Sequence, residues 1–357
     1  ALAVLLAGPQ VDAEAAGARD RLAAAITDPD PDVARAAVTA AATVGDRALL
    51  PPLLARLRAS GGRDPMIGDA LTACGAGAED ELARALADPA LPITARCAVA
   101  HAMGRLGGPV MVGRLLDVIE AGPPVTSDAV RTAAMRALER AARRQPLPDD
   151  QRARVDRIID AELTAGYQAM AAADGLGAVE SLANADGTRA APRFLPASEG
   201  GAEALLSRSL RDRHDACRDR VLLLVAALHP GTGVDVIAAN LREPDPARRA
   251  NAVEALDSAL DRELRARVIP LVDESPRPDK LTAVRARFAL RHRDVNQWIA
   301  ELLQDPAPWL VACTAHYAGA MELGSARPRL EQLRDHADAT VREAVADALT
   351  RLRRPHA

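Results

Sequence analysis

Residues 28–46 read DPDPDVARAAVTAAATVGD, and the fold follows from how this stretch is punctuated. Asp30 can accept the orphan N–H groups that open a helix, and Pro31 follows at the first helical position, where its missing donor costs nothing. Val33, Ala37, Ala40, Ala41 and Val44 then recur at helical spacing and fall on one stripe. Gly45 is suited to the left-handed conformation that closes a helix. The stretch predicts one capped amphipathic helix with a face of small side chains.

The phrase recurs as DPALPITARCAVAHAMGRLGG at 88–108, EPDPARRANAVEALDSALD at 243–261, DPAPWLVACTAHYAGAMELG at 305–324 and DHADATVREAVADALTRLRR at 335–354. Weaker copies begin near Asp64, Ser127 and Pro276. The stripe returns in Ala95, Val99, Ala102, Met103 and Leu106, and again in Val341, Val345, Ala348, Leu349 and Leu352. Asp245 and Pro246 repeat the cap and the first-turn proline, whereas Pro308 follows Ala307, which cannot cap. Gly107 and Gly324 take the helix-stop role of Gly45. After each such helix comes a second amphipathic segment, opening at Ala48, Pro109, Arg262 and Ala326. The C-terminal copies follow one another at about 30 residues, inside the range that marks stacked repeats. No run shows the alternation of a strand. A hairpin of two such helices cannot bury its apolar face alone, so the expected fold is all-α, an α-solenoid of about ten stacked helical hairpins.

Composition agrees with close-packed helices. Hydrophobic residues make up 49% of the 357-residue chain and aromatics only 2%, so the apolar content is mostly Ala, Leu and Val. A charged fraction of 26% with a net charge of −4 excludes compositional disorder and gives no overall basic field for nucleic acid. Lys280 is the only lysine, and the arginine excess reads as base composition. Cys74, Cys97, Cys217 and Cys313 lie far apart with no CxxC pair, which argues against a zinc site or a disulfide framework and favours reduced thiols in a cytoplasmic setting. Apolar runs such as 221–228 are too short to span a bilayer, and the opening ALAVLLAG lacks the basic n-region of a signal peptide. The chain opens at Ala1 inside what reads as helix, so a piece of a longer protein is expected.

With its Asp-Pro, Val-x-x-x-Ala-x-x-Ala-Leu-like helix, Gly-Asp and Leu-rich second helix, the unit resembles HEAT repeats of the short bacterial type. The resemblance covers residues 1 to 163 and 203 to 354. It implies repeats over 1–173 and 203–357, divided by an irregular loop or broken repeat at 174–202. A narrower likeness rests on Asn251, Ala255, Leu256, Asp257, Leu264, Pro270 and Leu271, with Asp305, Pro306, Trp309, Cys313 and Ala318. These residues resemble the HEAT module that, in bacterial multidomain proteins, joins a nucleotide-carrier-like, major-facilitator-like membrane domain to a cyclic-nucleotide-binding domain. That resemblance implies a coupling module at the cytoplasmic face of the membrane, part of a larger transporter-like protein.

The sequence carries no GxSxG, HExxH or phosphate-loop signature, so no catalytic, metal or cofactor-binding residue is expected and no cofactor is implied. The histidines read as structural: His101 and His316 lie on related helices away from the stripe, and His229 precedes Pro230 at a helix end. Cys97 and Cys313 read as small apolar fillers. Trp298, Trp309 and Tyr317 are rare tokens in this chain, either plugging an inter-repeat gap or anchoring a partner. The HEAT resemblance implies that arginines on the second helices, among them Arg56, Arg58, Arg114, Arg265, Arg267, Arg327 and Arg329, line the concave face. Asp117, Glu120, Asp273 and Glu331 are interleaved with them, which fits a solvated mixed-charge face better than a phosphate track. The sequence therefore points to a non-enzymatic module for a protein partner or flanking domains, with no nucleic acid and no membrane insertion expected. The alternative is a HEAT-like enzyme of DNA-glycosylase or lyase type acting in the groove.

Overall fold

The computed structural model describes residues 12–64, 66–122, 126–176, 200–273 and 277–353. Among them the chain is all-α, with 18 α-helices and no strand. In chain order these are α1 (Asp12–Ile26), α2 (Pro31–Val44), α3 (Leu50–Ala59), α4 (Ile67–Cys74), α5 (Glu79–Ala87), α6 (Ile93–Leu106), α7 (Pro109–Ala121), α8 (Asp128–Arg144) and α9 (Asp149–Gly175). There follow α10 (Gly200–Leu228), α11 (Val234–Asn240), α12 (Pro246–Ala259), α13 (Arg262–Val272), α14 (Arg277–Val284), α15 (Val295–Leu302), α16 (Pro308–Ala320), α17 (Arg327–Gln332) and α18 (Ala339–Arg351).

The helices gather into two compact units, Ala1–Ile159 with Leu222–Asp235, and Asp160–Val221 with Val236–Ala357. The dividing points fall inside α9 and α10, of 27 and 29 residues. Spacing marks hairpins, and it is silent about two long helices whose opposite ends join different cores. Of the 174–202 stretch, Asp174 and Gly175 complete α9 and residues 200–202 open α10, while 177–199 lie outside the described residues.

The first unit is a two-row α-solenoid stack. Helices α2, α4, α6 and α8 pack one on the next as a first row. Helices α1, α3, α5 and α7 form the second row, each packed on the first-row helix that follows it. The sequence signals explain the element starts. Asp30 accepts from the N–H groups of Asp32 and Val33, with Pro31 in the first turn; Asp245 accepts from the Ala247 N–H to open α12, with Pro246 in its first turn, and Asp338 accepts from Thr340 and Val341 to open α18. Ala307 gives α16 no side-chain cap. Gly45 closes α2 at φ 66°, and Gly107 closes α6 at φ 69°.

Two expectations are corrected in register. In α2 the buried set is Ala34, Ala37, Val38 and Ala41, not the stripe through Val33, which is 42% exposed; Ala40 and Val44 are half-buried. Counted from the first helical residue, α2 buries positions 4, 7, 8 and 11, α18 buries 3, 7, 10 and 11, and α6 buries both sets. Helix α6 lies between α4 and α8, whereas α2 is the first of its row among the described residues and has a first-row neighbour on one flank only. An alanine-rich helix carries apolar residues on both flanks, so periodicity alone cannot choose between them. At the other end of the chain, Gly324 does not close α16. The helix stops at Ala320, Glu322 takes the left-handed conformation at φ 49°, and Leu323 N–H bonds back to the Ala318 carbonyl at 2.9 Å, a Schellman closure. Gly324 instead opens a 3-10 turn.

One device went unread in the sequence. Position 4 of α6, α8, α12 and α18 is an arginine that donates to carbonyls at the end of the preceding segment. Arg96 Nε reaches Leu86 O at 2.7 Å and Arg131 Nε reaches Ile119 O at 2.8 Å. Arg249 reaches the Glu243 and Pro244 carbonyls, and Arg342 those of His336 and Ala337, all between 2.7 and 3.0 Å. Leu86 and Ile119 lie in the last turns of α5 and α7, where carbonyls are left without an intrahelical donor, whereas the carbonyls taken by Arg249 and Arg342 belong to the loops just before their own helices.

In the second unit α16 packs on α18, and the core joins the end of α9 (Ala169, Ala172, Ala173), Leu206 and Leu210 of α10, Trp298 and Ile299 of α15, and the inner faces of α16 and α18.

Candidate functional site

The second-helix row of the first unit is crossed by arginine–carboxylate pairs that bind one hairpin to the next. Arg19 meets Asp46 at 2.5 Å, Arg47 meets Glu81, Arg58 meets Asp88 at 2.6 Å, and Arg114 meets Asp80 at 2.6 Å. Arg154 at the start of α9 takes both Glu120 at 2.6 Å and Asp117 at 2.8 Å. The Arg47 hydrogen bond holds the Glu81 carboxyl below its ordinary range, while its neighbours Glu120 and Asp117 raise the pKa of Arg154. The interleaved carboxylates are thus the counter-charges of the arginines. Arg56 faces Asp64 at 3.6 Å.

Within this row α3 and α5 stand apart, although α1 packs on α3 and α5 on α7. Between them runs a groove of about 830 Å³. Leu50, Leu54, Ala85 and Leu91 line its floor, and the Arg47–Glu81 and Arg58–Asp88 pairs stand at its rim with Arg84. A smaller cavity of about 330 Å³ lies beside the 229–235 turn, lined by Glu139, Arg143, His229 and Asp235, where Arg143 already bridges Glu139 and Asp235.

The residues singled out from sequence do not converge. Trp298 and Tyr317 are 3% and 6% exposed and belong to the core of the second unit, where they fill space between thin helices. The Arg293 guanidinium lies 4.7 Å from the Trp298 ring centre, and burial, helped by Glu203, raises the Tyr317 phenol. Trp309 alone of the three presents its ring, at 54% exposure. Arg265 faces Asp257 at 3.3 Å. Arg267 is buried, bonded to Asp160 at 2.8 Å, and its carbonyl accepts from the Tyr167 hydroxyl at 2.8 Å. Arg327 and Arg329 bond within their own helix, to Glu331 and Gln332. Arg140 Nη1 lies 3.0 Å and 2.9 Å from the two ring nitrogens of His101, and burial followed by Arg140 holds the His101 pKa below the usual imidazole range. Burial pushes the Cys74 thiol up to about 11 and the Cys217 thiol to about 12, and raises Cys97 and Cys313 as well. Among the described residues no three of His, Cys, Asp and Glu stand together as a metal site, and no helix is long and apolar enough to cross a membrane.

The groove drew no notice in the sequence because its floor is ordinary leucine and alanine; the signal is the pairing of Arg47 with Glu81 and of Arg58 with Asp88 across 34 and 30 residues.

No protein-family description and no curated protein matches the chain. Two crystal structures of engineered proteins are similar to it over most of its length. One is 16% identical, covering 98% of this chain and 83% of its own at a TM-score of 0.27; the other is 11% identical, covering 94% and 96% at a TM-score of 0.16.

Proposed function

We propose that this protein is a non-enzymatic interaction module that binds a protein partner or a flanking domain through the exposed face of its second-helix row. One observation carries the reading: Arg47, Arg58, Arg114 and Arg154 of that face are matched to carboxylates of adjoining hairpins, and an aliphatic groove opens between two of the pairs. Mixed charge around apolar ground suits another protein, whereas a nucleic-acid track needs unspent cations in series. The finer reading, that the module couples domains of a transporter-like protein at the cytoplasmic face of a membrane, is supported by the residues at 251–271 and 305–318 that resemble such modules.

The test has two arms. Duplex DNA titrated at two salt concentrations should give no steep salt slope; a slope of several phosphate contacts would replace this reading with a nucleic-acid one. For the partner arm, any domains encoded on either side of the chain in its open reading frame are titrated as ligands, and a frame that encodes none would count against the flanking-domain form of the reading. Charge reversal on the second row (Arg58→Glu with Arg114→Glu) should weaken their binding at least tenfold. Reversal on a first-row helix (Arg136→Glu) should leave it unchanged, and equal effects from both would count against the row.

A further inference from the structure

Resting on that reading, we infer that the groove between α3 and α5 is the seat of an acidic, aliphatic segment of the partner, whose carboxylate pairs with Arg84 while its leucine-like side chains lie on Pro51, Leu54, Ala55 and Ala85. The groove exists because the second row is interrupted at one step. Helices α1 and α3 pack together, as do α5 and α7, whereas α3 and α5 are joined at the rim by ion pairs. Their apolar flanks therefore border open space of about 830 Å³, enough for several aliphatic side chains.

Charge selects the occupant. The lining holds three arginines, Arg47, Arg58 and Arg84, against two carboxylates, Glu81 and Asp88. Arg47 and Arg58 are matched to those carboxylates one to one. Arg84 donates its Nε to the Asp80 carbonyl at 3.2 Å and acts on Glu81 only through space, as the least of the influences on that carboxyl. Its side chain is exposed, and among the described residues no carboxylate bonds to its terminal nitrogens. A ligand that adds one carboxylate neutralises the groove; one that adds a cation doubles its imbalance. No aromatic residue lines the groove, so it offers aliphatic packing and no ring stacking. The two rim pairs are anchored eleven residues apart on the α3 side, roughly 16 Å of helix, which fits about three turns of a partner helix.

The probe is a fluorescein-labelled 12-residue peptide of Leu, Ala and Glu, set against the same peptide with Lys for Glu. Fluorescence anisotropy on the whole chain should show saturable binding of the Glu peptide, at least tenfold tighter than the Lys peptide. Arg84→Glu should weaken the Glu peptide at least tenfold and strengthen the Lys peptide; Arg84→Gln should weaken the first without helping the second; Arg136→Glu should change neither. Thermal unfolding by circular dichroism confirms that each variant is folded. Methyl NMR shifts should localise to Leu54, Ala55 and Ala85. Absence of saturable binding, equal affinity for the two peptides, or indifference to Arg84→Glu would overturn the proposal. If partner binding is lost on reversing Arg58 and Arg114 while Arg84 variants bind normally, the row is the interface and this groove is not its seat.

Discussion

At the scale of single residues, two glycines let neighbouring helices meet backbone to backbone. A Cβ built on Gly104 would lie 2.6 Å from Ala137 Cα and 2.7 Å from Ala137 O, and one on Gly319 would lie 2.6 Å from Ala348 Cα. Both glycines stand at position 12 of their helices, α6 and α16, so two copies of the repeat use the same device. Gly68, inside α4, meets nothing within 4 Å. Helix propensity favours alanine at all three sites by up to about 1 kcal/mol, and overpacking opposes it only where backbone stands in the way, by about 1–3 kcal/mol. Urea denaturation should therefore show Gly68→Ala raising stability by about 0.5–1 kcal/mol, and Gly104→Ala lowering it by about 1–2 kcal/mol. A stabilised Gly104→Ala would mean that α6 and α8 separate easily. The scarcity of aromatics announces close packing of this kind, but not where it occurs, because contact between Gly104 and Ala137 is a property of two helices and neither stretch alone encodes it.

At the scale of elements, caps were legible and hinges were not. Asp30, Pro31 and Gly45 act where local chemistry places them, since each works on its own chain within four residues. Arg96 reaches ten residues back to Leu86 O, so its role depends on how α5 meets α6. Arg96 is 5% exposed, and Arg96→Met leaves that buried carbonyl without its donor. The expected loss is about 1–3 kcal/mol. It should be read from urea midpoints, and Arg96→Lys should recover part of it, since an ammonium can still donate; full stability in Arg96→Met would reduce the arginine to a filler. The end of α16 offers the opposite sign. Its left-handed closing residue is Glu322, at the position equivalent to Gly45 and Gly107 in α2 and α6. A non-glycine residue in that conformation costs about 1 kcal/mol. Glu322→Gly should therefore raise the thermal midpoint, and a lowered midpoint would show that Glu322 contributes a contact worth more than the strain.

At the scale of the whole molecule, the repeat pattern told the class of fold because stacking is a nearest-neighbour property, and the same pattern carries no signal for the long helices α9 and α10, of 27 and 29 residues. The groove escaped for a related reason, as the gap between α3 and α5 arises from hairpin placement and its residues are individually unremarkable. Nearest-neighbour stacking also makes a prediction about unfolding. Stability in such stacks is a sum over units and their contacts, so damage to one core need not melt the other in the same step. The chain carries natural probes for this: its two tryptophans, Trp298 and Trp309, both lie in the second unit, while helices of both units contribute to the circular dichroism. Gly104→Ala weakens the first unit and should lower the circular dichroism midpoint in urea while leaving the tryptophan fluorescence midpoint within error of the parent. Gly319→Ala weakens the second unit and should lower the fluorescence midpoint at least as much as the dichroism midpoint. If both substitutions move both signals equally, the two units unfold as one cooperative block, and local coupling would have to be replaced by a long-range term carried through the continuous helices α9 and α10.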